Sequence, residues 1–70
     1  MNKFIFIEEE VAAKTNWKAI KNAQAEGKFK VMYFPRDNVF HIEYNPDLDI
    51  RIITAIKNVV TEIYPDSKEA

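Results

Sequence analysis

The 70-residue chain predicts a small α+β domain with the element order β-α-β-β-α. Three observations carry that prediction. Around the stretch PRDN, Phe29, Val31 and Tyr33 alternate on one segment and Phe40, Ile42 and Tyr44 on the next, the period-two pattern of a hairpin with one buried face. From Leu48 to Tyr64, apolar residues recur at helical spacing and make a wide stripe. Ahead of both stands KFIFI, a short run of aromatic and β-branched residues with the composition of a strand.

Taken in order, Lys3–Ile7 is the first strand. Phe4 and Phe6 point to one side and Ile5 and Ile7 to the other, so both of its faces are apolar. Glu8–Glu26 reads as a helix with Ala13, Trp17, Ile20, Ala23 and Gln24 on its inner side and Lys14, Lys18 and Lys21 opposite. Glu8, Glu9 and Glu10 would complement the positive helix end, and Gly27 suits a left-handed C-terminal cap. Lys28–Phe34 and Val39–Tyr44 form the hairpin, with PRDN as a four-residue loop on a type I turn. The closing helix starts with Asn45 as cap, Pro46 in the first helical position, and Asp47 and Asp49 in the first turn. Pro65 stops it.

A right-handed crossover from the first strand to the hairpin would lay both helices on one face of a three-stranded sheet in the order 1-3-2. This is the split βαβ, ferredoxin-like arrangement without its last strand. It leaves one edge of the first strand unpaired and the other sheet face uncovered. Residues 1–65 are expected to form a single compact domain, and 66–70, DSKEA, a disordered tail.

Composition narrows the kinds of work available. Without cysteine there is neither a disulfide framework nor a thiolate metal site, and His41 is the lone histidine, so metal clusters and Cys–His pairs are excluded. The aliphatic hydroxyls, Thr15, Thr54, Thr61 and Ser67, lie in no nucleophile-elbow context, and one glycine is too few for a phosphate-cradling loop. The expectation is a protein that is not an enzyme and takes no cofactor or metal. A hydrophobic fraction of 47% with 13% aromatics argues against disorder. No apolar run is long enough to span a membrane, and the one near the N-terminus is too short for a signal peptide, so a cytoplasmic protein without membrane contact is expected.

A formal net charge of −1 gives the whole chain no general attraction to nucleic acid. The charge is nonetheless uneven: residues 14–30 hold five lysines against the single Glu26. Two function classes follow. In the first, a small binding or regulatory protein, an accessory factor or inhibitor, docks on another protein or forms a homodimer. Its free strand edge and open sheet face would act through Ile5, Ile7, Met32, Phe34, Val39 and His41. In the alternative, Lys14, Lys18, Lys21, Lys28, Lys30 and Arg36 follow a phosphate backbone. Size and charge suit small accessory proteins of bacteria or their phages.

Two resemblances bear on these classes. EEEVAAKTNWKAIKNAQAEGKF, with the hairpin and helix after it, resembles small excisionase-type winged-helix proteins over residues 8–64. That resemblance implies Thr15–Glu26 as recognition helix and Arg36 as wing tip. GKFKVMYFPRDNVFHIEYNPDLDIRIITAIKNVV resembles the back half of heavy-metal-associated domains and implies a ferredoxin-like topology. Glu and Ala stand where those domains carry paired cysteines, so their metal site is not implied here.

Overall fold

The computed structural model describes residues 2–8 and 16–70. In chain order these form β1 (Lys3–Ile5), α1 (Trp17–Ala25), β2 (Phe29–Phe34), β3 (Val39–Tyr44), α2 (Ile50–Ile63) and β4 (Lys68–Glu69). The class is α+β: among the described residues, two helices and a four-stranded mixed sheet in the order β1-β2-β3-β4.

The hairpin follows the alternation of its residues. Phe29, Val31, Tyr33, Phe40 and Ile42 are buried on one face, and Val31 lies opposite Ile42. Tyr44, at the outer end of the same row, remains about half exposed. The loop Pro35–Asn38 closes the hairpin with Asn38 at φ 54°, a left-handed conformation that asparagine tolerates better than most residues. Asn38 also accepts a 2.6 Å hydrogen bond from the Tyr33 hydroxyl, which satisfies a mostly buried polar atom.

Both helices pack on that buried face. Ile20 and Ala23 of α1 join Ala55, Ile56, Val59 and Val60 of α2 in one core with the hairpin residues. Trp17, Leu48, Ile52, Ile63 and Tyr64 pack half-buried around it, as the helical periodicity predicts. At the end of α1, Lys28 N–H donates to Ala23 and Gly27 N–H to Gln24, with Gly27 at φ 69°. This is a Schellman stop, and it needs a residue free to turn left-handed.

The expected first helix differs at its start. Glu8 stands outside any helix, the described helical turns begin at Trp17, and Glu9, Glu10, Val11, Ala13, Lys14 and Thr15 lie outside the described residues. The second helix also starts later than expected. Leu48 N–H returns to Asn45 in a turn through Pro46, and Asp49, extended at ψ 134°, becomes the N-cap by accepting from Arg51 N–H at 2.8 Å.

The order 1-3-2 is not the observed topology. β1 lies antiparallel beside β2, with Lys3, Phe4 and Ile5 opposite Tyr33, Met32 and Val31. The place beside β3 is taken by β4, which runs parallel to it after α2, so β3-α2-β4 is the parallel crossover of this fold. The fourth strand lies in residues read from sequence as a tail. Lys68 N–H donates to Asn38 and Ala70 N–H to Phe40, while Ser67, buried, donates its hydroxyl to Tyr64 at 2.7 Å. Lys57 on α2 meets Glu69 at 3.2 Å, and the Tyr64 ring stacks on Tyr33 at 3.9 Å between centroids.

Past Ile5, β1 leaves the sheet. The next ladder position would set Ile7 opposite Phe29, but both backbone groups of Ile7 are taken by one side chain. Its N–H donates to Gln24 Oε1 at 3.0 Å and its carbonyl accepts from Gln24 Nε2 at 3.1 Å. Ile7 itself is fully buried in the core.

Candidate protein-binding surface

The helices cover one face of the sheet, and the register defines what the other presents. Phe4, Met32 and His41 stand side by side across β1, β2 and β3. Nearer the hairpin loop come Phe34, Val39 and Lys68, and at the other end Lys30 and Glu43. Met32, Phe34 and Val39 are half-buried, and His41, Lys30, Glu43 and Lys68 are exposed. The face thus carries an apolar centre with charged ends, a pattern suited to contact with another surface.

Four of the six residues expected to make protein contacts therefore share this face: Met32, Phe34, Val39 and His41. The other two do not. Ile7 is fully buried, and Ile5, opposite Val31, faces the core half-buried. The outward residues of the segment are Phe4 and Phe6, 67% and 69% exposed, among the largest apolar side chains left open to solvent. Both pairs are equally apolar, so alternation alone could not say which turns inward.

β1 is an edge strand. Among the described residues no strand lies on its outer side, and neither proline nor a bulge blocks it. The opposite edge of the sheet is formed by the two-residue β4.

The basic residues expected on a nucleic acid are divided by the fold. Lys18 is exposed on α1, and Lys21, half-buried on the same helix, sets its ammonium 6.0 Å from the Phe6 ring centroid. Lys28 sits 3.8 Å from Glu26, and Lys30 is exposed at the start of β2. Arg36 is in the hairpin loop, past the far end of that six-residue strand and so roughly 20 Å from Lys30. Lys14 lies outside the described residues. Lys21 thus lies over Phe6, Lys30 lines a cavity that Phe6 also lines, and Arg36 does not join them.

Asp47 is exposed in the turn before α2, while Asp49 and Arg51 form a cap pair in solvent. The Arg51 side chain, then its backbone N–H, hold the Asp49 carboxyl below its usual range, and Asp49 raises Arg51 in return. Among the described residues no three His, Asp or Glu side chains cluster as a metal site, and no helix is long and apolar enough to cross a membrane. Set against protein families, curated proteins and solved structures, the chain matches none of them.

Proposed function

We propose that the chain is a non-catalytic binding protein of accessory or inhibitor type. It docks on protein partners, a second copy of itself first among them, through the outer edge of β1 and the open sheet face. The observation that carries this reading is the exposure of Phe4 on an edge strand, and of Phe6 just past its end, with no strand beyond it among the described residues. A partner strand added there gains main-chain hydrogen bonds, and Phe4 and Met32 supply side-chain contact beside it. A two-fold axis across β1 is the simplest such arrangement, because it sets each Phe4 beside its counterpart.

Sedimentation equilibrium over a rising concentration series tests the dimer. The expected result is a reversible dimer that Phe4→Glu returns to monomer. A strict monomer throughout, with Phe4→Glu and Phe34→Glu changing nothing, removes it. Retention of duplex or single-stranded DNA in a low-salt shift assay, lost on combining Lys18→Glu, Lys21→Glu and Lys30→Glu, replaces this reading with the nucleic-acid one.

A further inference from the structure

Where β1 leaves the sheet it opens a slot against β2, and the slot has three properties of a peptide receptor. The first is room. A cavity of about 400 Å³ lies there, within the range of roughly 300–1,000 Å³ common to ligand pockets, and its walls are mostly apolar: Phe4, Ile5, Phe6, Phe29 and Val31.

The second is a backbone edge. Asn45 N–H donates to the Lys28 carbonyl, which fixes the phase of the β2–β3 ladder. Lys28 and Lys30 bond toward β3, whereas Phe29 and Val31 turn their N–H and C=O groups toward β1. Val31 finds Ile5 there. Phe29 would find Ile7, but the Gln24 side chain holds both Ile7 groups. Among the described residues no backbone group of the β1 segment pairs with Phe29, whose amide faces the slot.

The third is charge. Lys30 lines the slot on the sheet side and Lys21 stands over Phe6 at its rim, while the nearby Lys28 is already beside Glu26. Glu43 lies across from Lys30 on β3, on the side away from the slot, and makes no ion pair with it.

We infer that this slot receives one extended stretch of a partner chain in which apolar and acidic residues alternate. The inference rests on the docking reading only in that a protein supplies the stretch. The incoming segment takes the ladder position that Ile7 vacates and exchanges hydrogen bonds with Phe29. Alternation along an extended chain then sends every second side chain toward Ile5, Phe29 and Val31, and the others toward Lys30. Apolar residues suit the first direction and carboxylates the second.

The probe is an acetylated, amidated hexapeptide alternating Val and Glu, titrated into the ¹⁵N-labelled protein and followed by amide chemical shifts. A hexapeptide alternating Val and Lys and one alternating Ser and Glu are the controls. The expected result is saturable binding of the Val–Glu peptide alone, with the largest shifts at Phe29, Lys30 and Ile5. Lys30→Glu, an exposed change, should weaken it by about fivefold. Absence of binding at millimolar peptide, equal binding of the Val–Lys peptide, or shifts centred on Phe34, Val39 and His41 would overturn the slot. The last outcome leaves the docking reading standing. Conversely, slot binding by a protein that never dimerises leaves the slot standing and removes the dimer.

Discussion

Gln24 does for Ile7 what a neighbouring strand would do. Its amide carries one acceptor and two donors, so a single side chain can satisfy a peptide N–H and a peptide C=O together. Gln24→Leu keeps the helix and the apolar volume but leaves both Ile7 groups without partners. It should lower stability by about 2 kcal/mol, read as a fall in the urea midpoint. Gln24→Glu accepts from the N–H but cannot donate to the carbonyl when ionised, and should fall between the two. Asp49 gives a prediction with a sign. Its carboxyl titrates lower when folded than the ordinary value of about 3.9 because Arg51 bonds the charged form. The cap is therefore fully present above that ordinary value and is lost as pH falls through the folded one. Asp49→Asn retains a capping oxygen but not the charge. Wild type should thus be the more stable at neutral pH, and urea midpoints measured down to strong acid should show that advantage vanish.

At the scale of elements, the C-terminal segment is the part to remove. Deleting 66–70 takes away the Ser67 hydroxyl bond, the two N–H donors to Asn38 and Phe40 and the Lys57–Glu69 pair, and uncovers the outer side of β3. A loss of about 2 kcal/mol is expected, from two backbone hydrogen bonds at roughly 1 kcal/mol each, and thermal unfolding checks it. This strand shows why some elements were legible and others were not. The hairpin and α2 announce themselves because their apolar residues repeat at periods of two and of 3.6 within one segment. β4 has no such pattern: Lys68 and Glu69 are exposed, and backbone bonds with a serine hydroxyl hold the strand. The place of β1 was hidden for a related reason. A strand three residues long pairs with whichever neighbour the rest of the chain presents, and no local residue encodes that choice. Of the proposed contact surface, Met32, Phe34, Val39 and His41 could be found from the hairpin's own alternation. The inward turn of Ile5 and Ile7 could not, since Phe4 and Phe6 are as apolar as they are.

For the whole molecule, docking through β1 predicts a concentration dependence that no internal contact can mimic. Amide hydrogen exchange at Phe4 should slow as protein concentration rises, while exchange at Lys30 and Glu43, whose N–H groups bond within the hairpin, should stay constant. Unchanged exchange at Phe4 across that range counts against pairing at the edge.

The two margins of the sheet are unequal, and that inequality would bound how far the proposed self-association could run. β4 is short, charged and tied to α2, so it offers little for another chain to grip. In the proposed pairing it is the β1 margin that serves, and a two-fold contact would consume it in both copies at once. Growth then halts at a pair, whereas two adhesive margins would let copies add end to end into an open filament. If the proposed pairing forms, the few residues after Tyr64 would thus act as a terminator of polymerisation, beside the bonds they give the fold.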